Sequence, residues 1–277
     1  MNLGTVGVWT TYRTIGEDSA GEAATLVEEL GYGTFWLGGS PRLPSVRPLL
    51  EATETLVVAT GIVNVWAYDP AELAAEYATL AHDFPGRLLV GIGIGHPEAT
   101  SDYSRPLTAM RAFLDGLDDA DTPLPRDHRC LAALAPKMLA LSAERTLGAI
   151  PYFVPVEHTR WARAELGSDP LLTPEVAFVL DEDTGRAREK ARGFAGTYLG
   201  LSNYTDNLLR HGFTAEDVAD GGSDRLIDAV IPHGSADQIA SVVRSHLAAG
   251  ANHVSVQAIG EDPRPGWARL AEALSTY

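Results

Sequence analysis

Cysteine is nearly absent from this chain: Cys130 stands alone among 277 residues. No intrachain disulfide can form, and the apolar neighbours Leu131, Ala132, Ala133 and Leu134 mark a buried thiol rather than a nucleophile. Basic charge is also scarce. Against 37 acidic side chains stand 21 basic ones, a net of -16, which opposes broad adhesion to nucleic acid or to an anionic membrane and requires any anionic ligand to be held locally. No apolar run approaches the ~20 residues that span a bilayer, and the amino terminus lacks the basic start and apolar stretch of a signal peptide. A cytoplasmic protein without membrane or nucleic-acid partners is expected. The eight histidines form no HExxH and no pair at ligand spacing, so no metal site is expected, and the GxSxG elbow of serine hydrolases is missing.

What is present is a globular balance, 45% hydrophobic and 21% charged, arranged as short β-rich runs alternating with longer amphipathic ones. Eight runs read as strands: Leu3 to Trp9, Thr34 to Leu37, Val57 to Val65, Leu88 to Ile92, Cys130 to Leu134, Ala149 to Val154, Leu172 to Leu180 and His253 to Ile259. Repeated βα units of this number predict an α/β fold, a single-domain (β/α)8 TIM barrel over residues 1–277, with an open doubly wound sheet as the alternative. Helix signals support the alternation. Ser19 with Glu22, and Ser235 with Gln238, have capping-box spacing, Asp69-Pro70 opens a third helix, and Gly31 and Gly250 stand where left-handed stops are wanted. Leu201 to Val230 breaks the rhythm with two or three short helices, one capped by Thr214, and reads as an insertion at the barrel mouth before the last strand. The acidic stretch from Glu98 to Asp121 reads as a solvated helix and loop.

In such folds chemistry gathers beyond the strand ends. Three stretches qualify. In the third strand Gly61 interrupts an apolar run and Asn64 places an amide in its last turn, a pattern that fits either a bulge against a ligand or a bend with Asn64 satisfying loop backbone; Trp66 and Tyr68 follow, able to line a pocket or to pack. After the fourth strand, Gly91-Ile92-Gly93-Ile94-Gly95-His96 is glycine-rich but is not a dinucleotide fingerprint, since His96 stands where a third glycine is needed. After the sixth, Val156-Glu157-His158-Thr159 precedes a helix expected from Trp161 to Leu166, where free N–H groups suit a phosphate or Glu157 or Thr159 acts as a cap.

Together these stretches, with GVW at Gly7 to Trp9, ELGYGTFWLGG, PGRLLVGIGIGH and AAGANHVSVQ, resemble the luciferase-like monooxygenase superfamily and its branch that uses the deazaflavin coenzyme F420, over nearly the entire chain. The resemblance implies a (β/α)8 barrel, a homodimer, and a non-prolyl cis peptide at Gly61-Ile62 behind the central ring of the cofactor. It also implies cofactor contacts from Asn64, from Ile94, Gly95 and His96, and from Val156, Glu157, His158 and Thr159. Trp9, Trp66 and Tyr68 are expected at the substrate pocket, and Arg13, Arg42 or Arg160 near the acidic cofactor tail. The sugar-phosphate dehydrogenases of the family carry an acid where this chain has His96, and a histidine where it reads Gly38-Gly39-Ser40, so their substrate does not carry over and His96 becomes the candidate for proton transfer. The implied reaction is hydride transfer between F420 and a small organic substrate. The alternatives are an FMN-dependent monooxygenase, a non-catalytic flavin-binding relative, and a metal-dependent or cofactor-free barrel hydrolase or lyase.

Overall fold

The computed structural model describes residues 1–98 and 103–275. Its strands are β1 (Val6–Thr10), β2 (Thr34–Gly38), β3 (Val57–Gly61), β4 (Val63–Asn64), β5 (Leu88–Gly93), β6 (Arg129–Ala132), β7 (Gly148–Ile150), β8 (Leu171–Leu172), β9 (Glu175–Phe178) and β10 (Val254–Ala258). They pair in parallel in the order β8-β7-β6-β5-β3-β2-β1-β10-β9, with β4 beside β5. β8 and β9 are two halves of one extended segment. On one side the N–H groups of Leu171, Thr173 and Glu175 donate to Leu147, Ala149 and Pro151, and on the other the carbonyls of Leu172 and Pro174 accept from Asn252 and Ser255. That segment joins the two ends of the sheet. With β3 and β4 counted as one interrupted strand, eight strands form the ring that the sequence runs indicate.

Strand alternation builds two cores. Val8, Phe35, Val58, Val90, Val176 and Val256 pack outward against the helices, while Trp9, Trp36, Val57, Ala59, Leu89, Cys130 and Ile150 fill the interior. Burial raises the Cys130 thiol above its ordinary range, consistent with an inert residue.

Helix ends test the expected caps one by one. Ser235 and Gln238 form the reciprocal box, Asp69 accepts from the N–H groups of Ala71 and Glu72, and Gly31 and Gly250 adopt φ of 82° and 107°. Ser19 makes no such bond. Its ψ of 4° departs from the extended conformation that aims a cap side chain at the first turn. After β9 comes the long helix Thr184–Leu199, and the interruption at Leu201 to Val230 consists of three short helices, Ser202–Arg210, Ala215–Val218 and Asp224–Val230, with a capping box at Thr214. Residues 99–102 of the acidic stretch lie outside the described residues; beyond them the helix Pro106–Asp118 forms. No described helix is long and apolar enough to cross a membrane.

Candidate active site

A cavity of about 910 Å³ opens at the carboxyl ends of the strands, within the range of small-molecule and cofactor sites. Its floor is made by the third barrel strand. The peptide bond between Gly61 and Ile62 is cis. A Cβ on Gly61 would lie 2.1 Å from the Trp9 ring, and one on Gly93 would lie 2.6 Å from Ile62 Cγ1. The two glycines therefore let an indole and an aliphatic side chain lie against bare backbone, which levels one wall of the cavity.

Asn64 satisfies loop backbone and also faces the cavity. Its Oδ1 accepts the Trp66 N–H at 3.1 Å, and the residue also lines the cavity with no hydrogen bond from Nδ2 to another described residue. Trp66 does not line the cavity; its Nε1 donates to the Ile94 carbonyl at 2.7 Å and so anchors the loop that brings Ile94, Gly95 and His96 to the wall. Gly95 takes a φ of 68° there, in the left-handed region that glycine tolerates. His96 Nδ1 lies 2.9 Å from Asn203 Oδ1. An amide oxygen carries no proton, so Nδ1 is the donor and Nε2 is left with the lone pair. The Tyr204 ring, 5.2 Å from the imidazole centroid, flanks it.

Of the residues singled out from sequence, Trp9, Gly61, Ile62, Asn64, Ile94, Gly95 and His96 meet in this cavity. Tyr68 lies elsewhere. Its hydroxyl accepts the Leu43 N–H at 2.5 Å and donates to Glu76 at 2.8 Å, and Arg42 stacks 3.8 Å over its ring while pairing with Glu72 and Glu76. Arg42 is thereby committed to carboxylates. Val156, Glu157, His158 and Thr159 do not line the cavity either. The helix expected from Trp161 runs Val156–Leu166 with Pro155 extended at its head and no side-chain cap, so all four belong to its first turns. His158 is buried with Nε2 on the Leu134 carbonyl at 3.3 Å, and burial, reinforced by His211, lowers its pKa to about 3. Thr159 bonds His246 Nδ1 at 2.8 Å. These two side chains pack the helix onto its neighbours.

The cavity also holds residues that the sequence pattern did not single out. Tyr152 donates to Gln257 Oε1 at 2.9 Å; its one proton being spent there, Tyr198, 2.7 Å away, is the donor in the bond between the two hydroxyls. Burial lifts the Tyr198 hydroxyl to about 12. Phe194 and Tyr198 come from the helix Thr184–Leu199, and Asn203 and Tyr204 from the first short helix of the interruption that follows it. The i,i+4 spacing of Phe194 and Tyr198 on one helix face was the available signal. Arg13, one of the three arginines expected near the cofactor tail, also lines the cavity, as does Arg210, and neither has a carboxylate partner among the described residues.

A family model for luciferase-like monooxygenases matches residues 2–253. The chain belongs to that family. Among solved structures, the fold is similar to an F420-dependent secondary alcohol dehydrogenase in complex with an F420-acetone adduct (TM-score 0.77, 16% identity, 98% of each chain covered). It is similar also to the coenzyme F420-dependent tetrahydromethanopterin reductase of Methanopyrus kandleri (TM-score 0.80, 15% identity, 98% of each chain). A third likeness is to the oxygenating constituent of 3,6-diketocamphane monooxygenase from Pseudomonas putida, a type II Baeyer-Villiger monooxygenase in complex with FMN (TM-score 0.68, 15% identity, 98% of this chain and 96% of that one). This luciferase-like chain is thus a flavin- or deazaflavin-dependent oxidoreductase by family.

Proposed function

We propose that this protein is an F420-dependent oxidoreductase acting on a small, largely apolar organic alcohol or carbonyl compound. The observation that carries the reading is the levelled wall of Gly61, Ile62 and Gly93 with Asn64 at its edge. The residues present fit a flat ring system: Trp9 and Ile62 lie close against the bare backbone of Gly61 and Gly93 and leave a level wall, and Asn64 Nδ2 has donors left to spend. Two F420-dependent enzymes with TM-scores of 0.77 and 0.80 support the deazaflavin, and the FMN-bound monooxygenase at 0.68 supports FMN as the second reading.

In this proposal Ile62 backs the ring, Asn64 and the Ile94–Gly95 backbone hold its edge, and Arg13 and Arg210 meet its anionic tail in a protein whose other charges repel it. Arg160 is exposed and outside the cavity. The bound deazaflavin supplies a hydride acceptor or donor. The chain's own part is to orient the substrate, exclude water and manage the proton. His96, kept in one tautomer by Asn203, presents Nε2 to take a proton from an alcohol or, once protonated, to return it to a new alkoxide. Trp9, Phe194, Tyr198 and Tyr204 give an aromatic enclosure suited to a ring-bearing substrate. A second copy of the chain is proposed as the partner, with light scattering as its check.

Titration of the purified chain with F420 and with FMN, followed by cofactor fluorescence, tests the assignment. Saturable binding of F420 tighter than FMN is expected. Tighter FMN binding moves the protein to the second reading, and no binding of either removes the proposal.

A further inference from the structure

Gln257 lies near the carboxyl end of β10, one residue beyond Val256, which joins the core between barrel and helices. Strand alternation therefore turns its side chain inward, where it lines the cavity. The register of β1 with β10 sets Val8 beside Val256, so Trp9 and Gln257 follow as inward neighbours on adjacent strands. Trp9 is the indole that lies against Gly61, which brings the Gln257 amide to the edge of the levelled wall. One end of that amide is committed. Its Oε1 accepts the Tyr152 hydroxyl at 2.9 Å, and Tyr152 in turn accepts from Tyr198 at 2.7 Å. Burial first of all raises the Tyr152 hydroxyl well above its ordinary range, so the proton stays in that bond, and the Tyr152 ring is held between Trp9 and Tyr198 at centroid distances of 5.2 and 5.1 Å. The other end of the amide is free. Nε2 has no hydrogen-bond partner among the described residues and is not sealed off by protein, and an amide that accepts at its oxygen is the stronger donor at its nitrogen.

This donor faces His96 across the barrel mouth. With β3–β4 and β8–β9 each taken as one strand, β5 is the fourth member of the ring and β10 the eighth, so His96, in the loop after β5, and Gln257 enter from opposite sides. The Tyr204 ring stands between them, 5.2 Å from the imidazole and 6.2 Å from the Tyr152 ring. A flat guest laid along Tyr204 has the lone pair of His96 Nε2 toward one end and the two N–H groups of Gln257 toward the other. The hydroxyls of Thr11 and Thr14, which also line the cavity, are bonded to each other at 3.0 Å. A donor enclosed with a guest and left unpaired weakens binding, so the Gln257 end selects a guest that brings an acceptor.

We propose that Gln257 is a specificity-determining residue whose Nε2 holds a second, non-reacting carbonyl oxygen of the substrate. The substrate class is then a compact hydroxy ketone, or the corresponding dicarbonyl compound in the reducing direction, with its two oxygens at opposite ends of the molecule. This rests on the hydride-transfer reading and deepens it. At the His96 end the alcohol C–H bond breaks, its hydride passes to the oxidised deazaflavin, and the hydroxyl proton passes to His96 Nε2, leaving a carbonyl. At the Gln257 end no bond is made or broken. Tyr152 is a positioning residue, because its proton on Oε1 keeps Nε2 turned to the cavity. An amide turned the other way would present an acceptor and choose a hydroxyl in place of the carbonyl.

Calorimetric titration of the full-length chain loaded with F420, or with FMN where that binds tighter, tests this with two probes: 1,4-cyclohexanedione, and cyclohexanone, which lacks the second oxygen. The wild type is expected to bind the dione about tenfold or more tighter than cyclohexanone, the effect of roughly one hydrogen bond and well beyond the about twofold that two equivalent ends give by statistics. Gln257→Leu removes the donors and is expected to bring the ratio down to that statistical level. Gln257→Glu keeps an oxygen for Tyr152 but offers an acceptor where the N–H groups stood, and is expected to lose the preference too. Cofactor affinity, read by fluorescence, holds in both variants, a check that a folding defect fails. Tyr152→Phe is expected to reduce the preference with Gln257 still in place. Equal affinity of the wild type for the two ketones, no binding of either to the loaded chain, or an undiminished preference in Gln257→Leu or Gln257→Glu overturns the proposal and leaves the hydride-transfer reading standing. Failure of both cofactors to bind brings down that reading, and this proposal with it.

Discussion

At the scale of single residues, groups that face the cavity differ from groups that only pack in what their polar atoms have left to spend. Asn64 spends Oδ1 on the Trp66 N–H and has Nδ2 left over, so Asn64→Ala is expected to weaken F420 binding about tenfold, the loss of roughly one hydrogen bond; unchanged affinity by fluorescence titration removes Asn64 from the ring edge. His96→Asn is expected to lower kcat by about 10²-fold or more with little change in cofactor affinity, and equal turnover dismisses its role. His158→Gln is expected to lower the melting temperature and leave cofactor affinity alone, because the ring contacts Leu134, Trp161 and His211 rather than the cavity. Sequence made Gly61, Asn64 and His96 legible because a glycine or a polar group inside an apolar strand end is anomalous. It hid Gln257 and Tyr152 because Gln257 continues the alternation of His253-Val254-Ser255-Val256, whose polar places read as solvent-facing, and a tyrosine reads as ordinary core. Their meaning depends on which side of a closed ring they face, which periodicity leaves open.

At the scale of elements the same motif has different outcomes. Ser19-x-x-Glu22 and Ser235-x-x-Gln238 match one pattern, yet only the second forms the box. Ser235→Ala is expected to cost about 1 kcal/mol and Ser19→Ala only a few tenths, read from urea midpoints of the two variants; equal losses contradict the geometry. The eight strands were readable because short β-rich runs stand out between amphipathic helices. The break within the third strand was readable from Gly61 inside its apolar run, whereas the break within the seventh, at Thr173-Pro174, was read through as one strand from Leu172 to Leu180. The start of the helix Val156–Leu166 was missed by five residues because Glu157, His158 and Thr159 look like cap or loop residues, whereas Pro155 in an extended conformation is what sets the boundary.

At the scale of the molecule, buried titratable groups impose a pH optimum on stability. Burial first of all lowers His158 to about 3 and His246 and His253 to about 4, below their unfolded value near 6.5. Their contribution is complete above pH 6.5 and is lost as the pH falls toward 4, because the unfolded chain then binds protons that the folded one refuses. Glu175, buried at the start of β9, acts in the opposite sense. Its raised pKa of about 8 gives a contribution that is complete below about pH 4.5 and is lost as the pH rises to 8, at about 1.4 kcal/mol per pH unit. Three histidines outweigh one acid below 6.5, so the melting temperature should peak near pH 6.5. Glu175→Gln should flatten the alkaline side up to pH 8 while leaving the acid side in place. A wild-type curve that keeps rising to pH 8 contradicts the burial of a neutral acid.

The helix Ser202–Arg210 carries both Asn203, which is bonded to His96 Nδ1, and Tyr204, which lines the cavity. In the proposed reaction, the shape of the enclosure and the tautomer of the acid–base candidate are therefore both set by one element of the scaffold. An engineer who shifts this helix to admit a bulkier guest also releases the imidazole from its tether, so broadening the range of guests and preserving turnover demand a compensating anchor for His96 from another element.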